Sequence, residues 1–186
     1  ATDGIEAAGE PREQGDRQPR QQQRPHRVAC RRAHRGPGGA VLVQADAIAW
    51  LYNIRGGDTA HTPLPLAFSI VPREGRPTLY VDGRKLSNQE RARLEDLAEV
   101  REPGDLLAGL AGFDGRKVLI DGAFVAEKIA STLTQAGATL IEATDPVSLP
   151  RARKNAAEIA GARAAHVRDG AAMARFLAWF DAEAPK

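Results

Sequence analysis

Residues 40–143 alternate short Val/Leu/Ile-rich runs with longer mixed stretches, and that alternation leaves few ways to fold. The apolar runs are AVLVQ at 40–44, PLAFSIVP at 65–72, TLYVD at 78–82, RKVLID at 116–121 and ATLIEA at 138–143. Each is short and rich in side chains that suit a buried pleated surface, so each predicts a strand. Helices are predicted between them: DAIAWLYNI at 46–54, with Asp46 as its cap; SNQERARLEDLAEV at 87–100, opened by a Ser87/Glu90 capping box; PGDLLAGLAGF at 103–113; and AFVAEKIASTLTQAG at 123–137, closed by Gly137. REGRP at 73–77 carries the Gly and Pro of a tight turn, so the strands beside it should form a hairpin. Strands and helices in this order make an α/β domain with a mixed sheet.

The segment before it is of another kind. Residues 1–40 hold eight Arg, no Lys and no aromatic, with Ile5, Val28 and Cys30 as the sizeable apolar groups. Such a stretch cannot bury enough surface to offset its ordering entropy, and 1–39 is expected to be disordered. Two origins fit its composition: an arginine-rich arm that grips phosphates, or GC-rich DNA read in the wrong frame. A net charge of +2 over the 186 residues is too small to argue for nucleic acid as a partner. One cysteine, Cys30, excludes an internal disulfide framework. No apolar run approaches the roughly 18 residues that span a bilayer, and no apolar leader opens the chain. Together these features predict a cytoplasmic protein without a membrane partner.

After a Pro-punctuated connector, DPVSLPRARKN at 145–155, Asn155 should cap one long helix. Its Ile159, Ala162, His166, Met173, Phe176, Leu177 and Phe180 fall on one side, where His166 is expected as a packed structural histidine.

The residues that could carry chemistry are sparse. RGGDT has neither the spacing nor the lysine of a phosphate-binding loop, the four histidines are scattered at 26, 34, 61 and 166, and no Gly-x-Ser-x-Gly elbow occurs. One polar cluster stands between apolar runs, NIRGGDTAH at 53–61. Asn53 and Asp58 can stabilise a turn through local hydrogen bonds, and Gly56-Gly57 can permit the bend. Arg55 is the natural carboxylate ligand of the set, because a guanidinium offers a planar fork of donors.

Three stretches together resemble a known family. AIAWLYNIRGGDTAHTPLPLAFSIV, LYVDGRKLS and VSLPRARKNAAEIAGARAAHVRDGAAMARFLAWF are similar, in order and spacing, to Xaa-Pro aminopeptidases of the creatinase/prolidase-like metallopeptidase family. The resemblance covers about residues 40–186 and implies a creatinase-like α/β domain at 40–146. It also implies that 147–186 is a linker plus the first helix of a pita-bread catalytic domain. The family cuts the bond before a proline at position two with two divalent metal ions, commonly manganese, held by two Asp, one His and two Glu. Those ligands would lie beyond this helix, so the resemblance implies an inactive fragment with no catalytic residue and no metal site of its own.

In such enzymes this domain shapes access to the metal centre. The resemblance therefore places Asn53, Arg55, Asp58 and His61 near substrate, with short Xaa-Pro peptides as the partner of the complete enzyme. A homo-oligomer is compatible with it. The competing reading is a stand-alone module that binds peptide or nucleic acid through Arg55 or the Arg-rich tail.

Overall fold

The structure, a computed structural model, describes residues 38–184. The segment expected to be disordered thus lies, apart from Gly38 and Gly39, outside the described residues, as does Cys30. Six strands form one sheet: β1 (Gly39–Leu42), β2 (Ala67–Pro72), β3 (Thr78–Val81), β4 (Glu99–Arg101), β5 (Lys117–Ile120) and β6 (Thr139–Glu142), in the spatial order β4-β3-β2-β1-β5-β6. β2 runs antiparallel to β1 and β3, and every other neighbouring pair is parallel. The expected hairpin and mixed sheet are both present.

Among the described residues six α-helices accompany the sheet: α1 (Ala45–Tyr52), α2 (Asn88–Glu95), α3 (Leu106–Leu110), α4 (Glu127–Gln135), α5 (Ser148–Ala152) and α6 (Ala156–Glu183). Period-two alternation sends successive strand residues to opposite faces and so builds two cores. On one face Ala40, Leu42, Ala67, Val71, Leu79 and Val81 pack against α1, Leu94 of α2 and Val147. On the other, Val41, Ile70, Tyr80, Val118 and Ile120 pack against Leu106 and Leu110 of α3 and Ile129 and Leu133 of α4. The Tyr52 hydroxyl lies 2.7 Å from Ser69 Oγ, and Ser69 Oγ donates to the Thr78 carbonyl at 2.9 Å, tying α1 to the hairpin.

Several expectations need correction. The helix expected over 87–100 ends at Glu95, and Glu99–Arg101 is instead the edge strand β4. Leu94 and Ala98 are fully buried, and the Glu99 N–H donates to the Pro77 carbonyl at 2.8 Å, which lays the chain along β3. Ser87 does cap α2, accepting from the Glu90 N–H at 3.2 Å, but the Glu90 side chain pairs with Arg93. Asp46 is not a cap: α1 starts after Gln44, and Asp46 sits in the first turn, bonded to the Ala47 N–H and paired with Arg151. The connector at 145–155 contains α5.

α6 has 28 residues, about 42 Å at 1.5 Å per residue. Its capping box is complete: the Glu158 N–H donates to Asn155 Oδ1 at 2.9 Å, and the Asn155 N–H to Glu158 Oε2 at 2.8 Å. None of its residues is buried. His166 is exposed, not the packed histidine expected from its place on the apolar stripe, because no other described element lies closely along the helix.

Candidate functional site

The polar turn after α1 is built on a rigid frame. Asn53 closes the helix in the left-handed conformation, φ 52° and ψ 47°, and its N–H reaches back to the Trp50 carbonyl. Short polar side chains tolerate that conformation better than most, which explains an Asn between buried Tyr52 and Ile54. Arg55 then turns back onto the helix end: Nη1 donates to the Ile54 carbonyl at 2.8 Å and to the Ala49 carbonyl at 3.4 Å. A cation at a helix C-terminus also faces the negative end of the dipole. Gly56 follows because the chain passes against Pro65, where a Cβ would come within 2.8 Å of the Pro65 Cα. At Gly57 nothing lies within 4 Å of such a Cβ.

Asp58 fastens the far half of the turn. Its Oδ2 accepts from the Leu66 N–H at 2.7 Å and from Lys85 Nζ at 2.6 Å. The Lys85 ammonium and, after it, the Leu66 amide hold the Asp58 carboxyl below its ordinary value. Between them the chain folds back through a Thr59–Thr62 bridge, with His61 at φ 60° at the tip.

The four residues expected near substrate therefore occupy one exposed turn but do different work. Asp58 is spent on Lys85 and Leu66, and one Arg55 nitrogen is spent on the helix end. Among the described residues, the Asn53 and His61 side chains have no hydrogen-bond partner. The remaining Arg55 donors, Asn53 and His61 are the outward groups of the turn.

A second polar cluster, not anticipated as a unit, lies at the carboxyl ends of β5 and β6. Asp121 accepts from the Asp145 N–H at 2.9 Å, the Ala123 N–H at 3.2 Å and Gln44 Nε2 at 3.5 Å. Asp145 is buried, 4% exposed, and its Oδ1 accepts from the Val147 N–H at 2.7 Å. Burial pushes its carboxyl up, the Val147 bond opposes that, and the nearby Asp121 charge adds to the rise. The cluster anchors the start of α5 to the sheet. Its sequence signal was an Asp near the end of each of two strand-like runs, Asp121 closing 116–121 and Asp145 two positions after 138–143.

Among the described residues, no group of three or more His, Cys, Asp or Glu is placed to hold a metal ion. The side chains present thus do not fit the pair of divalent ions that the family resemblance implies, and no chemical step follows from such ions here. No helix of the described residues is long and apolar enough to cross a membrane.

Comparison with known proteins fits this frame. The sequence model of the creatinase/prolidase N-terminal domain matches residues 20–158. Aminopeptidase P1 of Arabidopsis thaliana is 32% identical over 174 residues, covering 78% of this chain and 26% of that relative. Xaa-Pro aminopeptidase 1 of Dictyostelium discoideum is 33% identical over 145 residues, covering 77% of this chain and 22% of the relative. The chain thus spans about a quarter of the length of these relatives. A crystal structure of X-prolyl aminopeptidase from Caenorhabditis elegans, described as a cytosolic enzyme with a di-nuclear active site, superposes with a TM-score of 0.68 at 23% identity. That match covers 86% of this chain and 26% of that one, and shows the shared fold. On the family match and the six-stranded mixed sheet, the chain belongs to the creatinase/prolidase N-terminal domain family.

Proposed function

We propose that this chain forms the non-catalytic, N-terminal creatinase-like part of an Xaa-Pro aminopeptidase and shapes the approach of short Xaa-Pro peptides to a dinuclear metal centre carried elsewhere in the complete enzyme. The observation that carries the proposal is the alignment of about three quarters of the chain with proteins named as such aminopeptidases, each about four times its aligned span. The turn supports it further. Gly56, Asp58 and Lys85 make a stiff support, and outward Arg55, Asn53 and His61 are the kind of donors that can steer a peptide carboxylate or carbonyl.

Within that reading, residues 40–146 are the access-shaping body. Residues 147–186 are the linker and the first helix of the catalytic unit, manganese is the expected metal, and the cytosol the expected compartment.

A chimera tests the role. Residues 40–152 should replace the corresponding segment of the Arabidopsis relative with retention of Xaa-Pro hydrolysis. In that chimera Arg55→Ala should lower kcat/KM about tenfold, the range of one lost charge-assisted hydrogen bond, at nearly unchanged Tm. A fall in Tm with unaltered kinetics would show that Arg55 only braces the end of α1.

A further inference from the structure

The two edges of the sheet are guarded very differently. β4 is three residues long and carries Glu99 and Arg101, paired with each other at 2.7 Å. Short, charged strands of this kind discourage further pairing. β6 reads Thr139-Leu140-Ile141-Glu142, with no Lys, Arg or Pro, and Leu140 and Ile141 are only half-buried. Its inner side is used: the N–H groups of Thr139 and Ala143 donate to the Arg116 and Ile120 carbonyls of the β5 side. Alternation therefore turns the N–H and C=O of Leu140 and Glu142 outward, and among the described residues these groups have no backbone partner.

We propose that β6 is a self-association edge on which a second copy of this chain pairs antiparallel, with the two-fold axis at Ile141. Within β6, Leu140 and Glu142 are the residues whose backbone groups face outward, so three symmetric registers arise. Centring on Glu142 would set two like charges directly opposite each other, which is unfavourable. Centring on Leu140 would put Glu142 opposite Ala138, whose N–H is already donated to the Leu133 carbonyl at 3.0 Å. Centring on Ile141 sets Leu140 opposite Glu142 of the second copy in both directions and satisfies all four N–H and C=O pairs. It also leaves the two Ile141 residues as a close, non-hydrogen-bonded pair on the axis. On that face Leu149 of α5, 40% exposed, borders a shallow depression with Leu119, Pro146 and Ser148, giving apolar surface beside the axis. The two copies would share one continuous sheet of twelve strands, twice the six observed.

Sedimentation of the whole chain from about 1 to about 100 μM should show a monomer–dimer equilibrium, as fits a small interface. Ile141→Lys, which sets two charges on the axis, should abolish the dimer. Leu140→Pro, which removes an outward N–H from an edge strand, should do the same while circular dichroism stays unchanged. The register has its own test in the Cys30→Ser background. Ile141→Cys should oxidise to a disulfide-linked dimer, because an axial non-hydrogen-bonded pair lies within disulfide range, whereas Thr139→Cys should not. A chain that stays monomeric throughout, an Ile141→Cys variant that does not cross-link, or a dimer lost on Leu177→Glu in α6 but kept in Ile141→Lys would each overturn the proposal.

Discussion

Asp58 and Lys85, 27 positions apart in sequence, meet at 2.6 Å, and through that contact the end of the hairpin holds the polar turn in place. The carboxylate also accepts the Leu66 N–H, so one oxygen joins the turn to the start of β2 and to the segment after β3.

This contact gives the turn a defined acid limit. The Asp58 carboxyl is held below its ordinary value by Lys85 first and by the Leu66 amide second. A depressed carboxyl adds stability above its unfolded value, and that stability is lost as pH falls through the folded value. In an NMR titration the Leu66 amide should follow Asp58 with a midpoint below 3.8, the reference value. In Asp58→Asn that transition should vanish and the Leu66 amide should exchange faster. A midpoint at or above 3.8 would mean that the lysine does not hold the carboxylate in solution.

Gly56 and Gly57 should part company on mutation. A methyl at position 56 meets the Pro65 backbone at 2.8 Å, where nothing can give without moving the chain, whereas position 57 faces open space. Gly56→Ala should cost about 1–3 kcal/mol, the usual range of overpacking, and Gly57→Ala should be near neutral. Equal melting temperatures for the two variants would show that the turn is looser than this frame requires.

The contrast between those glycines marks how far sequence could reach. Five strands were legible because Val, Leu and Ile cluster in them, and Asn155 marked the start of α6 as a capping residue. β4 was not legible: Glu99-Val100-Arg101 has one apolar residue, and it becomes a strand only because β3 offers a free edge. Sequence located the turn of the candidate site through its unusual polarity. It could not tell that Asp58 is occupied and that parts of Arg55 remain outward, since both facts depend on Lys85 and on the carbonyls ending α1. His166 misled for a related reason: a stripe on a helix predicts a buried face only where something lies against it.

Asp145 should behave as a buried carboxyl that folding prefers protonated. Burial raises it first, and Asp121 adds to that. A raised folded value means stability present below the unfolded value of about 3.9 and lost as pH rises through the folded one. Asp145→Asn keeps an oxygen for the Val147 N–H while removing the charge, so its Tm at pH 7 should equal or exceed that of the parent. The difference should close in acid. Asp145→Ala removes the acceptor and should cost about 1–3 kcal/mol at any pH. An Asn variant as unstable as the Ala variant at pH 7 would show that the ionised form is the favoured one.

The last expectation concerns α6, which carries large apolar surface that the described chain does not cover. Met173, Phe176, Leu177, Trp179 and Phe180 are 51–58% exposed, and the Phe176 ring lies 6.0 Å from that of Trp179 and 6.1 Å from that of Phe180, all three on the same helix. Helices in proteins draw most of their stability from a packed face, and an isolated helix is marginal in water. Gly170, mid-helix, costs about 1 kcal/mol relative to Ala and is where order should first fail. Asn155 and Glu158 hold the other end, so fraying should run from the C-terminus inward. Amide exchange across residues 171–182 should therefore be orders of magnitude faster than at Val118 to Ile120, which lie in β5 with a strand on either side. Dimerisation through β6 leaves this contrast intact, because Ile141 is remote in sequence and α6 lends no buried residue to the body. Equal protection of both segments in a dilute monomer would mean that the aromatic end finds cover within the chain, and the free-standing helix would have to be abandoned.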